Sequence, residues 1–435
     1  MFTMLVVYFI SALLVLILLG TPIFAAMGMA SLLHYLDLGR DSAAIVLMQR
    51  LFSGVSSFTL LAVPMFLLAG EIMGRGGLTN RIISLAKACV GHFRGGLAQV
   101  NILSSVFFGG ISGSAHADVA AIGSVLIPSM KREGYPPGFA GALTAVSGTL
   151  SPMIPPSIVL IIYGSTFGVS IGALFAAGLS IAAVLATTYM VLTWFLVRNN
   201  PDIPHHPRVT RQEFLQTLKE ALPALGLPVV ILGGIFLGIF TATEAAGVAV
   251  TYSLLITLFY YRSIRFVELP KILYKTGLTT AAIVILVGVA VSFSHVIVDR
   301  NVPEVISGVI LELTGSHLAI IFLLLMVMIV AGMFVDRTAN ILLFGGILIP
   351  IFTQEIGFSP VHTAMIIVMA LGIGHMTPPV GGTLLTTSLV GRMSIVEITR
   401  YVWPYIILEI AVTLLVVFVA PLSEFLPRLL GFGGL

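Results

Sequence analysis

Two stretches of this chain carry the same interrupted pattern, and the interruptions restrict what it can fold into. The first runs Gly109-Gly-Ile-Ser-Gly-Ser-Ala-His-Ala-Asp118, passes Ile127-Pro128, and ends in Ser151-Pro-Met-Ile-Pro155-Pro156. The second runs Ala331-Gly-Met-Phe-Val-Asp336-Arg-Thr-Ala-Asn340, passes Ile349-Pro350, and ends in His375-Met-Thr-Pro378-Pro379. Pro128 and Pro155 are spaced almost as Pro350 and Pro378 are. Each stretch sets a small polar tip between apolar arms and then breaks an apolar run with Pro-Pro. In a membrane protein, paired broken segments in corresponding halves point to a transport site.

Composition supplies the membrane. The 435 residues are 58% hydrophobic and only 9% charged, against about 25% charged in a soluble domain. Such a chain cannot cover a water-facing surface, so it reads as an all-α polytopic membrane protein. The first apolar run has no Lys or Arg before it and continues nearly to Leu33, so it reads as retained rather than as a signal peptide. The one cysteine, Cys89, rules out an intramolecular disulfide and a cysteine metal cluster, and reads as a packing residue. A net charge of +3 carried in short loops is a topology signal and gives no reason to expect nucleic acid as a partner.

A crossing helix needs about 20 apolar residues. Crossings are expected at 4–19, 23–36, 55–73, 138–165 and 171–197, and again at 222–240, 244–261, 277–298, 361–390 and 401–420. Breaks at Gly20-Thr-Pro22 and Phe240-Thr-Ala-Thr-Glu244 separate the first two crossings of each set. Residues 97–130 and 318–351 read as re-entrant hairpins, because a straight helix would hold their polar centres at mid-membrane. With Arg198–Glu220 cytoplasmic, most basic residues fall inside, leaving Arg40, Arg50, Arg300 and Arg428 outside and Arg337 in the second hairpin. The same scheme inverts one half against the other. The expectation is two inverted-topology repeats, each of about five crossings plus one hairpin. They are 1–200 and 222–435, joined by a cytoplasmic linker at 201–221.

The tips carry the candidate chemistry. Ser112, Gly113 and Ser114 offer hydroxyls and inward-turned carbonyls, and Ser147, Gly148 and Pro152 face them from the first break. Asp336 would face Gly372, Gly374, Met376, Thr377 and Pro378 of the second. Hard cations want such oxygens, and half-helix N-termini suit a carboxylate. Two or more Na+ sites flanking one anion site is the resulting expectation. Ser112, His116, Asp118, Arg337 and Asn340 are the candidates to contact the anion. Several alternatives stand beside these readings. The glycines and prolines permit close helix packing in lipid, and Asp118 caps the second arm of its hairpin. Asp336 pairs with Arg337, and His116 and His375 are packed hydrogen-bonding groups. Glu71 and Glu244 also lie inside apolar runs, Glu244 where N-capping is expected. Trp194 and Trp403 sit where interfacial anchors do. No Gly-x-x-x-x-Gly-Lys-[Ser/Thr] occurs, so no ATP is expected by that route, and no His-Glu-x-x-His.

At these residues the chain resembles the large membrane subunit of the tripartite ATP-independent periplasmic (TRAP) transporters, of the DctM or SiaM type. The matching stretches are Leu60-Leu-Ala-Val-Pro-Met-Phe-Leu-Leu-Ala-Gly70, Gly109 to Asp118, Ser151-Pro-Met-Ile-Pro-Pro-Ser157, Gly332-Met-Phe-Val-Asp336 and Thr377-Pro-Pro-Val-Gly381. The resemblance implies an elevator-type, sodium-symporting secondary transporter, multi-pass in a bacterial inner membrane. It implies two protein partners: a small four-helix membrane subunit and a soluble periplasmic binding protein that delivers a carboxylate such as sialic acid or a C4-dicarboxylate. It places the sodium sites near Ser112 to Ser114 with Ser147 to Pro152, and near Asp336 with Gly372 to Pro378. The chain departs from relatives in His116 and in the polar run Arg337-Thr338-Ala339-Asn340. The nearest rival is a stand-alone ion-coupled carboxylate carrier needing no binding protein. An enzyme is not expected, since no nucleophile is paired with a base.

Overall fold

The structure, a computed structural model, describes residues 11, 13, 15–17, 19–37, 43–200, 203–204, 206–314 and 316–432. These residues are helical with no strand among them. Nine of their helical segments are long and apolar enough to cross a membrane. The expected crossing at 4–19 lies largely outside the described residues, as does Arg40.

Eight helices build the region of interest. Gly96–Ser112 (α1) and Ala115–Arg132 (α2) form the first hairpin, and Pro137–Gly148 (α3) and Ile158–Phe167 (α4) form the first broken helix. His317–Phe334 (α5) and Arg337–Pro350 (α6) form the second hairpin, and Pro360–His375 (α7) and Gly382–Gly391 (α8) the second broken helix. Neither expected hairpin is traversed by one straight helix, because each reverses at its polar tip. Helix α1, at 17 residues, falls short of a crossing length, whereas α5 spans 18 residues and α6, with the π-turn that extends it to Glu355, spans 19. The arms of the second hairpin are therefore long enough to cross.

Physical reasons for the turns are local. Gly113 sits at φ +58, a left-handed conformation that glycine adopts without penalty. A Cβ there would lie 2.2 Å from the Pro156 carbonyl, so the first tip is pressed onto the first break. Ser114 then caps α2 by accepting from Ala117 N at 3.4 Å. Ser157 caps α4, accepting from Leu160 N at 3.2 Å while donating to the Pro152 carbonyl at 2.5 Å. The second tip needs no glycine: Val335 is extended, and Asp336 caps α6 by accepting from Thr338 N at 2.9 Å. Both breaks contain a cis Pro-Pro bond, Pro155-Pro156 and Pro378-Pro379.

The first broken helix is the centre of the molecule. Its most apolar 18-residue window is 100% buried, against 33% for α5. Around it pack α1, α2, α8 and Ile395–Phe418 against α3, and Ala62–Arg75, Ile171–Val197, α6 and Leu269–Asp299 against α4. Small residues let these helices approach. A Cβ on Gly178 would meet the Met153 carbonyl at 2.3 Å, and one on Gly374 would meet Gly332 Cα at 2.6 Å.

Several boundaries differ from the expectation. The crossing placed at 222–240 begins at Arg211, inside the segment taken as linker, because a capping box between Thr210 and Glu213 starts the helix in polar sequence. The helix placed at 277–298 likewise begins at Leu269. Helices at Ala43–Val55, Leu78–Val90, Val302–Thr314 and Pro421–Leu429 lie in stretches read as loops. Each is too short to register as a 20-residue apolar run. Glu244 takes the capping role expected of it, paired with Thr241 in a second capping box. Trp194 is partly exposed near the end of its helix, with the Arg198 guanidinium 5.1 Å from its ring.

Candidate functional site

Both tips and both breaks converge on one cavity of about 330 Å³. Gly113, Ser114, Ala115 and His116 line it from the first tip, and Asp336, Arg337, Thr338 and Ala339 from the second. Pro152 and His375 contribute from the breaks, and Thr279, Ala282, Ile283 and Leu286 form the wall opposite. The expected tip residues are thus brought together across more than 200 positions of sequence.

Each tip also reaches into the other half. His116 Nδ1 lies 2.9 Å from Thr386 Oγ1 on α8. Arg337 runs inward, with Nη1 donating to the Thr149 carbonyl at the first break at 3.1 Å. At the second tip, Gly381 N donates to the Met333 carbonyl at 3.0 Å, tying the hairpin to its own break.

Behind the first tip lies a sealed group of oxygens. Asp118 is fully buried, and it is Ser114 rather than Asp118 that caps α2. The hydroxyls of Ser105 on α1 and Ser151 in the break flank its carboxylate. Both hydroxyls are near enough to interact with the carboxylate, but neither makes a well-formed hydrogen bond to it, and the four oxygens have no other partner among the described residues. The α3 terminus abuts them, since a Cβ on Gly148 would be 3.7 Å from Asp118 Oδ2. Buried oxygens left unpaired in this way are costly unless something satisfies them. Of the other residues expected here, Ser147 donates to the Leu143 carbonyl at 2.8 Å and Ser112 Oγ accepts from Ser114 N at 3.4 Å. The Pro152 carbonyl already accepts from Ser157.

The second tip is open. The Asp336 side chain is 51% exposed, and its Oδ2 lies 3.6 Å from His116 Nε2 and 3.7 Å from His375 Nε2. The expected local pairing of Asp336 with Arg337 is replaced by this arrangement, because Arg337 turns away into the protein. Gly372 and Gly374 have packing reasons for being glycine. A Cβ on Gly372 would meet Arg337 Nη2 at 2.8 Å and Glu409 Oε1 at 3.0 Å, and Gly374 abuts Gly332. Met376 is buried, and Thr377 donates to the Ile373 carbonyl at 2.5 Å. Pro378 lies in the turn between α7 and α8.

Of the residues expected against the anion, Asp118 and Asn340 are not among those lining the cavity, whereas Arg337 lines it beside Asp336 and extends inward. Asp118 is sealed behind the tip, Asn340 is buried with Nδ2 donating to the Val335 carbonyl at 2.8 Å, and the Arg337 guanidinium is directed at Thr149 and Glu409. Asp118 and Asn340 are each the fourth residue of a helix at the packed centre, where a polar side chain meets a partner or a sealed space, and Arg337 reaches inward from the first position of α6. Ser112 is partly buried at the tip, and His116 faces the cavity.

Sequence reasoning missed Glu409. It is fully buried on Ile395–Phe418, accepts from the Tyr189 hydroxyl, and shares with Arg337 the space left by Gly372. The signal was present, since Glu409 is a lone acid inside an apolar run, and an ionisable residue at that depth is a functional candidate by default.

An all-helical, multi-pass membrane protein with two polar tips meeting at a central cavity is the class these features define. Residues 10–422 match the family described as "Tripartite ATP-independent periplasmic transporter, DctM component", and the chain belongs to that family. It is a membrane transporter component of the inner membrane, not an enzyme by family. It is 38% identical to the C4-dicarboxylate TRAP transporter large permease protein DctM of Pseudomonas aeruginosa, over 93% of this chain and 94% of the relative. It is 36% identical to the sialic acid TRAP transporter large permease protein SiaM of Vibrio cholerae, over 88% of this chain and 90% of the relative. The fold is shared with the YdaH transporter of Alcanivorax borkumensis at a TM-score of 0.54 and 16% identity, covering 91% of this chain and 90% of that one.

Proposed function

We propose that this chain is the translocating subunit of a sodium-coupled importer of a carboxylate, working with a small four-helix membrane subunit and a periplasmic binding protein that delivers the substrate. The observation that carries the proposal is the sealed cluster of Asp118, Ser105 and Ser151 oxygens, which have no well-formed hydrogen bond among the described residues and lie directly behind a tip that lines the cavity. An all-oxygen set holding one carboxylate, beside the carbonyls of a broken helix, has the chemistry of a Na+ site. Asp336 with the Gly372 to Pro378 break is the second such site. The substrate carboxylate is assigned to the cavity between them, against His116, the capped N-terminus of α6 at Thr338, and the tip hydroxyls of Ser112 and Ser114. Helix N-termini favour anions there.

Coupling follows from geometry. A cation that satisfies the Asp118 cluster fixes α1, α2 and the first break relative to one another. That orders the tip which forms one wall of the substrate cavity. Sodium then favours the substrate-competent state by its differential affinity for it. The paired hairpins and broken helices supply the moving unit of an elevator built on inverted repeats, and the surrounding helices supply its frame. The substrates named for relatives differ, so the class assigned is a small carboxylate.

Reconstitution into proteoliposomes with the small subunit and the binding protein tests the proposal. Uptake of a C4-dicarboxylate or of sialic acid should require an inward sodium gradient and the binding protein. Uptake at an unchanged rate without the gradient would refute the coupling. Uptake without the binding protein would instead make the chain a stand-alone carrier.

A further inference from the structure

The same tip-to-tip junction holds a set of ligands of a different kind. His116 Nε2, His375 Nε2 and Asp336 Oδ2 all lie within 4.8 Å of one another. They come from α2, α7 and the cap of α6, so three separate elements converge on one point.

Hydrogen bonding fixes what His116 offers. Thr386 donates its single hydroxyl proton to the Gly382 carbonyl at 2.9 Å. Its oxygen therefore accepts from His116 Nδ1 at 2.9 Å, which puts the ring proton on Nδ1. Nε2 is then the ring atom turned toward the Asp336 carboxylate, as a lone pair when the imidazole is neutral and as a second donor when it is protonated. Asp336 Oδ1 is occupied by Thr338 N, leaving Oδ2 as the atom facing both imidazoles. The two atoms are 3.6 Å apart, a separation that a proton on the imidazole or a metal cation between them would each satisfy.

His375 adds an independent pointer. Its side chain is only 2% exposed, yet its Nε2 is aimed into the junction 3.7 Å from Asp336 Oδ2. The two rings meet over a glycine. A Cβ on Gly382 would lie 3.0 Å from His116 Cε1 and 3.0 Å from His375 Cδ2, so any larger residue would force the imidazoles apart. Their centroids are 5.8 Å apart.

We propose that His116, His375 and Asp336 form a binding site for a transition-metal dication of the zinc class. Tetrahedral zinc with bonds of about 2.0–2.2 Å sets its ligand atoms about 3.3 Å apart, so the Asp336 contacts at 3.6 and 3.7 Å would close by a few tenths of an ångström and the two imidazole nitrogens, which lie within 4.8 Å of each other, by up to about 1.5 Å through rotation of the rings. Two imidazoles and one carboxylate, with a fourth position open to the cavity, are an established zinc donor pattern. Thr386 supplies the outer-shell hydrogen bond that orients a ligating imidazole. Imidazole nitrogen is a poor ligand for a hard cation, so a zinc-class ion drawn to the two imidazoles would compete with sodium for the Asp336 carboxylate they share. A bound dication would pin both hairpins to the second break and so arrest their motion. That consequence rests on the transport reading above, whereas metal binding by itself does not.

The test uses the purified full-length chain in detergent. Titration with Co2+, followed by visible absorption, should give the intense bands of a four-coordinate site, saturating at one ion per chain and bleached by Zn2+. His116→Ala and His375→Ala should each weaken binding more than about 100-fold, and Thr386→Val about tenfold, as loss of an outer-shell partner does. Gly382→Ala should also weaken it, by separating the rings. His206→Ala should not, since His206 is engaged with Glu133 elsewhere at 3.0 Å. If His375→Ala does not fold, Thr386→Val and Gly382→Ala carry the test. Absence of the bands, or bands unchanged in His116→Ala, would overturn the site. Sodium-dependent uptake is read separately, so either result can fail while the other stands.

Discussion

At the first tip Asp118 is sealed from solvent and has no partner within bonding geometry among the described residues, while at the second tip Asp336 is half exposed and faces two imidazoles. The tips resemble one another in sequence, each a small-residue turn with an acid followed by a Pro-Pro break. Their surroundings differ. The first break is wrapped on every side, so its acid is sealed from solvent. The second break stands beside an exposed helix, so its acid borders the cavity. Similar sequence at two depths of burial therefore gives one site suited to holding an ion and one suited to meeting what enters. The turns differ too: the first needs a left-handed glycine pressed on Pro156, and the second is made by an extended valine and an aspartate cap.

Variants at the two tips sharpen or break that contrast. The largest effect is expected where the halves interlock. Arg337→Ala would leave the buried Glu409 carboxylate with the Tyr189 hydroxyl but no nearby cation and would free the Thr149 carbonyl, costing about 3–5 kcal/mol, read as a fall in melting temperature. An unchanged melting temperature would mean that Arg337 does not hold the halves together. Next comes Gly113→Ala. A left-handed alanine costs about 1–2 kcal/mol, and the collision with Pro156 adds to it, whereas Val335→Ala at the second tip should be milder. Equal losses at the two positions would erase the difference in turn construction. Asp336→Ala should leave the fold intact, measured by melting, and cut reconstituted uptake about tenfold or more, within the range of a lost coupling term. Ser114→Ala should do least, about 0.5 kcal/mol, because its capping bond is long at 3.4 Å.

How much of this was legible in the sequence depends on distance along the chain. The tips, the breaks and the long apolar helices were legible because glycine, proline and a lone acid act locally. The short helices were not, since Ala43–Val55 and Val302–Thr314 fall below the length that marks a crossing. The start of Arg211–Phe236 was hidden because its first turns are polar and depend on a capping box. What the chain does not announce is which tip reaches which break. The contacts of Arg337 with Thr149 and of His116 with Thr386 join residues from opposite halves, and no local pattern encodes them. That is why Arg337 and Asn340 read as anion contacts when their side chains are packed inside. Glu409 was visible as a lone acid in an apolar run, yet its role came only with Tyr189 and Arg337 around it.

The central claim is that the sealed Asp118 cluster holds a sodium ion. Thermal melting of the purified chain against sodium concentration, in wild type and in Asp118→Asn, tests it most directly. A ligand at 100 times its Kd stabilises by about 2.7 kcal/mol, so the wild type should melt at rising temperature as sodium replaces potassium. Asp118→Asn should melt higher than wild type without sodium, having lost a buried unpaired charge, and should no longer respond to the ion. A sodium response of equal size in both proteins would contradict the account.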